Sequence, residues 1–584
     1  MMEKNYSFFG KQVLIYNDGK IPAYSDDLAH SELFKEMLNS YITDLKLKKS
    51  SLLEIFNREI DAEQMLFLLQ QLGRYNKESI IKKYPEVEVY FKDLYKLNQF
   101  VENFYNYWRT FERFFVCYSD DKLMYPHHNS PYNTFNNTID QLNNLVRKLY
   151  RDICENITGT HPRVYRQLHA AAQVGLIVVK EKNLLLAPYD KLSNISFIKQ
   201  VLIEPPLIID PPMNKRTGEF VKIDNNPMNY VSELNAKEWL CYPAQVGDLI
   251  IHIYFNNQFI GLGAALSNLF ELVTDEQMTQ KPDGIFLFGI SEKESEQISN
   301  EKIVFFDDEQ NNVLVGVIPI GDEFGYFGYL KKMVLTIHNA IVMKRDNFPV
   351  HGAMVRILTK NNKTANVIIM GDTGAGKSES LEAFRALGEE VISEMTVIFD
   401  DMGSLKIIDD KIKAFGTETG AFVRLDDLSP GFAFGNIDRS IIMSPQKINA
   451  RAVLPITTIE EVLKGQDVNY FLYANNYEEL SEEKLVLEKF SNYEDAINVF
   501  REGISMKKGT TTDVGITKTY FVNVFGPPQY KEKHDVLAER FFKKLFEQEI
   551  FVGQIRTRLG ISGNESSGPL EAAKALLELI KKQE

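Results

Sequence analysis

A glycine-rich stretch at 371–378, Gly-Asp-Thr-Gly-Ala-Gly-Lys-Ser, limits the fold of this 584-residue chain more than any other feature. It fits the pattern G-x-x-x-x-G-K-[ST], follows the apolar run 367–370 and precedes a helix-prone run at 379–387. In such a strand–loop–helix unit, backbone N–H groups can surround phosphate oxygens, because glycine has no Cβ and a helix N-terminus attracts anions. The stretch therefore predicts an α/β domain that binds a nucleotide.

Every residue of this loop has an expected part in nucleotide binding. Lys377 would reach the terminal phosphates, and the Ser378 hydroxyl would ligate Mg²⁺. The other members of the predicted nucleotide-binding set in the loop are Gly371, Asp372, Thr373, Gly374, Ala375 and Gly376.

The composition restricts the environment and the partners of the chain. It is 44% hydrophobic and 25% charged, which is typical of a globular protein of about two to four domains at this length. The net charge of −14 argues against non-specific binding to nucleic acid or to an anionic membrane. The three cysteines form no C-x-x-C, and we find neither a signal-peptide pattern nor an apolar run of membrane-spanning length. We therefore expect a cytoplasmic protein.

The residue patterns along the chain predict three regions. Residues 1–158 are predicted to be mostly helical, because apolar residues recur at i, i+3 and i+4, with a long loop from Asp120 to Asn137. The aromatic stripe at 87–115 favours core packing over a cofactor site. Residues 159–324 show short strand-like runs, and 325–584 alternate strand-like and helical runs. The predicted fold class is α/β.

Several charged residues near the loop are candidates for metal or substrate chemistry. Asp400 and Asp401 follow the apolar run 397–399, and a carboxylate at a strand end beside a phosphate loop is where Mg²⁺ is held. His351 could be a metal ligand or a general base, and the Lys331-Lys332 pair could stabilise charge. Each also has a structural alternative: a turn acid pair, a core histidine and a solvated helix face.

Taken in order, these motifs resemble those of the ATP-type phosphoenolpyruvate carboxykinases. Tyr-x-Gly-x-x-Lys-Lys stands at 326–332, and His351, the loop and Asp400-Asp401 follow in the family's order. The runs at 420–424, 449–455 and 509–526 resemble later family motifs. The resemblance covers about 320–580. It implies a two-lobed architecture with a P-loop nucleotide-binding C-terminal domain, a mixed α/β middle domain and, in this chain, a helical N-terminal region.

The resemblance also implies a reaction and a set of site residues. Oxaloacetate and a nucleoside triphosphate, with ATP favoured, would give phosphoenolpyruvate, CO₂ and the diphosphate. The family's metal roles fall on Lys332, His351 and Asp401 for Mn²⁺, and on Ser378 with Asp400 for Mg²⁺. The remaining roles are those of Lys377, Arg424 and Arg451 on the triphosphate, Tyr326 and Lys331 on the substrate, and Lys332, His351, Lys377, Asp401 and Arg451 in catalysis.

The chain departs from the family pattern at several positions. Tyr329 stands where the family has Glu, and Val514 stands where it has an Arg that contacts the nucleotide. The family's substrate segment Gly-Arg-Ser-Pro-Lys-Asp-Lys has no recognisable counterpart in the N-terminal half. Arg163 and Arg166 are candidates to replace it, although helix-surface arginines are the alternative.

Two other functions stay open from the sequence. The loop and the residues around it are also similar to those of HPr kinase/phosphorylase, which would imply a kinase acting on a protein or small-molecule hydroxyl. The third is a non-catalytic nucleotide-binding regulator. The expected partners are a nucleotide and a small dicarboxylic or phosphorylated acid, with no nucleic acid and no membrane. The helical N-terminal region leaves room for a protein partner.

Overall fold

The computed structural model describes residues 5–17, 22–56, 60–118, 130–161, 168–180, 187–371, 374–376, 383–384, 392–425, 437–482, 484–508 and 514–582. Over these ranges the protein is mixed α/β with several sheets, as its sequence predicts. The chain forms two compact units. Unit 1 is Met1–Lys180 with Ile198–Glu204, and unit 2 is Glu181–Phe197 with Pro205–Glu584. None of the described helices is both long and apolar enough to cross a membrane.

Unit 1 combines a small sheet with a set of helices. Its strands are β1 (Tyr6–Phe9), β2 (Gln12–Asn17), β3 (Glu112–Tyr118) and β4 (Val174–Val179), and β5 (Ser196–Ile203) is shared between the units. β1 and β2 pair antiparallel, and β2, β3 and β4 follow as parallel neighbours. The helices are α1 (Ser25–Ala29), α2 (Glu32–Leu47), α3 (Ala62–Leu72), α4 (Lys77–Lys83), α5 (Leu94–Arg109) and α6 (Ser130–Thr158).

Four helices of unit 1 begin where a polar side chain accepts a hydrogen bond from a backbone N–H of the first turn. Ser31, Asp61, Asn76 and Asp93 do so at the starts of α2 to α5. Their apolar faces share one core, to which α2 contributes Met37, Leu38, Tyr41, Ile42 and Leu45.

The long loop predicted from Asp120 to Asn137 is wrong in its second half, because α6 begins at Ser130. Pro131 suggested a loop, but proline is well tolerated in the first turn of a helix, where its missing N–H has no partner to lose. Residues 119–129 lie outside the described part of the chain.

Unit 2 contains the remaining elements. Its strands are β6 (Leu207–Ile209), β7 (Val221–Ile223), β8 (Trp239–Val246), β9 (Leu249–Asn256), β10 (Glu271–Leu272), β11 (Gly284–Ile290), β12 (Val304–Asp308), β13 (Val313–Pro319), β14 (Phe348–Thr359), β15 (Thr364–Met370), β16 (Ile392–Phe399), β17 (Met402–Ile408), β18 (Lys411–Gly416), β19 (Gly420–Arg424), β20 (Ile441–Met443), β21 (Arg451–Pro455), β22 (Gln466–Asp467), β23 (Tyr470–Asn475), β24 (Leu487–Lys489), β25 (Ile504–Lys508), β26 (Val514–Lys518) and β27 (Phe551–Arg556). Its helices are α7 (Ile260–Ala265), α8 (Asp275–Met278), α9 (Glu292–Ile298), α10 (Phe327–Lys344), α11 (Ile459–Leu463), α12 (Tyr493–Glu502), α13 (Lys531–Glu547) and α14 (Ser567–Lys582).

Two large sheets organise unit 2. One has the order β8-β9-β11-β13-β12-β7, and the other has the order β22-β18-β17-β14-β15-β23-β27-β24, with β16 also paired to β14. A smaller sheet, β19-β21-β20-β6, and the β25-β26 hairpin complete it. In the second sheet β15, β23 and β27 are parallel neighbours, so their carboxyl ends lie at one edge. In open α/β sheets that edge is where ligands bind.

The predicted division into 1–158, 159–324 and 325–584 stays a prediction. The division by compactness instead separates unit 1 from unit 2, with α10 and the strands on both sides of residue 324 inside unit 2.

Candidate active site

The α10 helix carries two lysines toward the interior. Of its residues, nearly all are buried, including Tyr329, Leu330, Met333 and Val334 around the lysine pair. The Lys331 side chain is 2% exposed and that of Lys332 is 18% exposed. A buried ammonium group is costly unless a counter-charge lies within reach, so these lysines indicate a charged site rather than a solvated helix face.

Strand register brings His351 and Asp401 together. His351 lies in β14 and pairs with Met402 of β17, the residue after Asp401. The Gly352 N–H donates to the Asp401 carbonyl over 2.9 Å. A side chain at Gly352 would clash, because its Cβ would lie 2.5 Å from the Ile369 carbonyl oxygen. The backbone of the two strands therefore fixes the separation of the imidazole and the carboxylate.

Three side chains converge on the Asp401 carboxylate. Lys332 Nζ lies 2.5 Å and Lys331 Nζ lies 2.7 Å from Oδ2, and His351 Nε2 lies 3.1 Å from Oδ1. The structure thus brings Lys332, His351 and Asp401, the residues predicted to bind Mn²⁺, to one point. Whether they bind a metal stays a prediction.

The tautomer of His351 follows from its second partner. Nδ1 contacts the Val522 carbonyl oxygen, which can only accept, so Nδ1 carries the proton. In a neutral ring Nε2 is then an acceptor facing an acceptor carboxylate oxygen. A second proton on the ring, or a cation between the two atoms, resolves that contact. Histidines that bind metals are commonly oriented in this way, with the N–H of the other ring nitrogen donating to a carbonyl oxygen.

Burial and charge set the protonation of the cluster. Burial lowers the pKa of Lys332 to about 8, although Asp401 opposes the shift. Burial also acts to lower the pKa of Lys331, but the Asp401 and Glu418 carboxylates raise it above its usual value. Burial favours the protonated form of Asp401, yet the two lysines and His351 hold the pKa of that carboxyl well below its usual range. Lys332 is thus the amine in this cluster that loses its proton most readily.

Glu418 is a member of the cluster that the sequence did not indicate. Its Oε1 lies 3.5 Å from Lys331 Nζ, and its Oε2 accepts from the Thr417 hydroxyl over 2.6 Å. Burial raises the pKa of this carboxyl to about 7. Only its position just before the Gly-Ala-Phe-Val-Arg run at 420–424 could have drawn attention to it.

The described part of the predicted phosphate loop begins next to His351. The Gly371 N–H donates to the His351 carbonyl over 3.2 Å, directly after β15. Gly374 and Gly376 have φ of 78° and 91°, a backbone conformation that favours glycine. The Gly374 carbonyl accepts from Asn476 Nδ2 over 2.8 Å.

The Ala375 carbonyl accepts a hydrogen bond from the Thr557 hydroxyl over 2.7 Å, and Thr557 directly follows β27. Asp372, Thr373, Lys377 and Ser378 lie outside the described residues, as do Arg163 and Arg166. Of the helix predicted to follow the loop, Ala383 and Phe384 are described, and both are helical.

The two predicted arginines are neighbours. Arg424 of β19 pairs with Arg451 of β21 in register, and the Arg451 guanidinium lies 5.4 Å from the centroid of the Phe422 ring. The ring of Tyr326 lies 5.8 Å from that of Phe422. Arg451 Nε is buried and has no hydrogen-bond partner among the described residues. Tyr326 is buried, and that burial raises its pKa against the opposing influence of Arg451, Arg216 and Lys331.

Arg216 is a further cation of the site that the sequence analysis missed. Its guanidinium lies 5.6 Å from the Phe525 ring centroid, and Lys332 Nζ lies 4.6 Å from the same centroid. The Tyr329 hydroxyl accepts from the Thr217 N–H over 2.9 Å, so the residue that departs from the family pattern holds the Arg216 segment. Little in the sequence indicated Arg216, because it lies between β6 and β7, outside any periodic pattern.

The donor set is one that a first-row divalent metal ion can accept. It consists of an amine whose pKa is about 8, the Nε2 side of an imidazole and a carboxylate, that is, two nitrogen ligands and one oxygen ligand. Over the described residues there is no cluster of three or more His, Cys, Asp or Glu side chains arranged for a metal. The present set differs because one of its three members is a lysine. Asp400 lies beside Asp401 and helps to raise the pKa of Lys331.

No protein-family model and no curated protein matches this chain.

Proposed function

We propose that this protein is a metal-dependent enzyme of the phosphoenolpyruvate carboxykinase type, which converts oxaloacetate and a nucleoside triphosphate to phosphoenolpyruvate, CO₂ and the diphosphate. The observation that carries the proposal is the Asp401 cluster. Lys332 and His351 meet at this carboxylate, and the His351 carbonyl accepts the first N–H of the phosphate loop. The proposed metal-binding set and the predicted nucleotide loop are thus joined by one hydrogen bond.

The charge distribution supports an anionic substrate. The whole chain carries a net charge of −14, yet among the described residues the proposed site includes the cations Lys331, Lys332, Arg216, Arg424 and Arg451 and the acids Asp400, Asp401 and Glu418. Cations gathered in a largely buried place favour bound carboxylate and phosphate groups, because their charge is weakly screened there. A dicarboxylic acid with a nucleoside triphosphate meets that requirement.

The roles of the residues follow from their contacts. Lys332, His351 and Asp401 would hold Mn²⁺, which would serve as a Lewis acid for the enolate oxygen. Arg216 shares the Phe525 ring with Lys332 and would bind a substrate carboxylate in place of the missing family segment. Tyr326 and Lys331 would bind the other end of the substrate. Glu418 would keep Lys331 charged.

The reaction would proceed in two steps. The C–C bond to the departing carboxylate breaks and leaves its electron pair in the enolate, and the enolate oxygen then bonds to the γ-phosphorus while the bond to the diphosphate breaks. Arg424, Arg451 and Lys377 would offset the charge on the transferring group, which is the largest contribution in phosphoryl transfer. Ser378 with Asp400 would hold the Mg²⁺ of the nucleotide.

The architecture proposed with this function is two-lobed. The sheet β8-β9-β11-β13-β12-β7 would form the substrate-side lobe at 159–324, and the sheet that contains β15 and the loop would form the nucleotide lobe at 325–584. The helical region 1–158 would be an addition to that plan.

A coupled assay tests the proposal. Purified protein with Mn²⁺, oxaloacetate and either ATP, GTP or pyrophosphate should form phosphoenolpyruvate with at least one donor. Lys332→Met should lower the rate by about a thousandfold, a loss of the size expected for a group that stabilises transition-state charge. Lys344→Met is the matched control, because Lys344 lies on the same helix and pairs with Asp307 outside the cluster. No product with any of the three donors would reject the proposal.

One observation also favours a second candidate, a kinase that acts on a hydroxyl. His351 Nε2 and the Asp401 carboxylate lie in contact beside the loop, and such a pair could accept a hydroxyl proton. Transfer of label from γ-labelled ATP to a protein or small molecule of a cell extract, without phosphoenolpyruvate formation, would select this candidate. ATP binding without either reaction would leave a nucleotide-binding regulator.

A further inference from the structure

Unit 1 contains an apolar cavity that the proposed function does not use. Its volume is about 120 Å³, and it lies between the α5 face that carries Phe104 and Trp108 and the α6 face that carries Val146 and Ile153, with Phe34 of α2 on another side. Both faces have the spacing by which packed helices normally bury each other. Here the two helices contact each other through Tyr105 and Tyr150 and leave a space beside that contact.

The lining of this cavity is uncharged. All of its side chains are apolar or aromatic apart from the hydroxyls of Ser31, Tyr105 and Tyr150, and none of the described residues that line it is charged. The Ser31 hydroxyl already donates to the Leu28 carbonyl and accepts the Phe34 N–H. The rings of Tyr105 and Tyr150 stack on each other at 4.1 Å between centroids. A charged ligand would find no counter-charge in this lining, so its desolvation would be uncompensated.

The volume limits the size of the occupant. Apolar cavities hold no water because it would lack hydrogen-bond partners, and a cavity of about 150 Å³ lined by similar side chains takes benzene. An unfilled space leaves the lining atoms without dispersion partners on one side. Leu33, Phe34 and Val146 are half-buried, so the walls are reachable from the surface of unit 1.

We propose that this cavity is a binding site for a small uncharged apolar molecule with the dimensions of one aromatic ring. The aromatic walls at Phe34, Phe104 and Trp108 favour a planar ring, since ring pairs gain from offset or edge-to-face contact beyond their buried area.

The first test uses fluorobenzene as the probe and ¹⁹F NMR of the full-length protein as the measurement. Fluorobenzene should bind saturably, and benzoate should not compete with it. Val146→Phe fills the cavity and should weaken fluorobenzene binding by about tenfold or more. Leu145→Phe is the matched control, because it adds the same ring one position away, outside the lining, and should bind like the wild type.

Two further measurements test the same binding site without the Val146→Phe variant. Trp239→Phe leaves Trp108 as the single tryptophan, and its fluorescence should change saturably with fluorobenzene. Phe34→Ala enlarges the cavity and should add binding of 1-fluoronaphthalene, which the wild type should exclude. The proposal is overturned if fluorobenzene binding is not saturable, if benzoate competes equally, if folded Val146→Phe binds like the wild type, or if Phe34→Ala gains nothing.

Discussion

In unit 1 the guanidinium of Arg113 is buried among backbone carbonyls, whereas in unit 2 the ammonium groups of Lys331 and Lys332 are buried against carboxylates, chiefly that of Asp401. Arg113 donates to the carbonyls of Ala171, Phe111 and Trp108 over 2.6, 2.8 and 3.2 Å. Its hydrogen bonds are spread over neutral acceptors, which is how a cation is held for structure alone. Lys331 and Lys332 instead share the ionised Asp401 carboxylate, with Glu418 3.5 Å from Lys331, and such buried charged clusters are common where an anion or a metal binds.

Among the variants below, removing the Asp401 carboxylate, which Lys331 and Lys332 share, should cause the largest loss of stability. Asp401→Asn keeps the shape but leaves two buried ammonium groups without their main counter-charge, and we expect the free energy of unfolding to fall by about 3–5 kcal/mol. The measurement is denaturant unfolding. Asp248→Asn is the control, because the Asp248–Lys406 pair is partly exposed and its loss should cost about 1 kcal/mol or less. Equal losses in the two variants would contradict the role given to Asp401.

Removing the buried cation of unit 1 should affect stability alone. Arg113→Met leaves three buried carbonyls without their donor, so we expect a loss of about 3 kcal/mol in the free energy of unfolding. Nucleotide-dependent turnover of the folded protein should not change. Arg109→Met removes a half-buried arginine of the same segment, whose Nε donates to the His169 carbonyl, and is the control. A fall in turnover of folded Arg113→Met would show that the two units do not differ in the way described.

His252 is a third kind of buried polar group, which differs from both Arg113 and the Lys331–Lys332 pair. Neither ring nitrogen has a hydrogen-bond partner among the described residues, and burial lowers the pKa of this histidine to about 3. Below about pH 6.5 the unfolded chain takes up a proton that the folded protein excludes, so the free energy of unfolding should fall by about 1.4 kcal/mol per pH unit as the pH drops from 6.5 toward 3.

The variant His252→Phe should remove that part of the acid dependence while it keeps the ring contacts to Phe197 and Tyr254. Denaturant unfolding from pH 4 to 8 is the measurement, and His161→Phe, which changes an exposed ring, is the control. An unchanged slope in His252→Phe would mean that this histidine is protonated in the folded protein.

The smallest expected effect concerns the loop. Thr557→Val removes the hydroxyl that holds the Ala375 carbonyl, at a cost of about 1 kcal/mol, so the Kd for ATP should rise by about fivefold. Isothermal titration with ATP is the measurement. Thr43→Val removes a similar bond, from the hydroxyl to the Asn39 carbonyl on α2, and should leave the Kd unchanged. If both variants bind ATP alike, the Thr557 contact does not shape the loop.

The resemblance in motif order led from the sequence to Lys332, His351 and Asp401, three members of the Asp401 cluster. Lys332 lies on a buried helix, His351 lies in a strand, and Asp401 follows one, so motif order was enough to group them. Glu418 and Arg216 escaped because neither lies within a helix or strand, and tertiary contacts alone bring them to Lys331 and Phe525. The start of α6 was missed for a local reason, the two possible meanings of Pro131.

The cavity of unit 1 could not be predicted from the sequence, although the helix faces that line it could. The apolar stripes of α5 and α6 were visible as periodicity, and they do form core. Periodicity gives the direction of a face but not the distance at which two faces meet, so the space between Phe104 and Val146 could not be read from the sequence.

The proposed function requires Lys332, His351 and Asp401 to hold one metal ion beside the predicted phosphate loop. Anomalous diffraction from crystals soaked in Mn²⁺ tests this requirement. We predict a peak within about 2–2.5 Å of Lys332 Nζ, His351 Nε2 and an Asp401 carboxylate oxygen. A structure in which Lys332 stays paired with Asp401 in saturating Mn²⁺, with the anomalous signal elsewhere or absent, would contradict the proposed function.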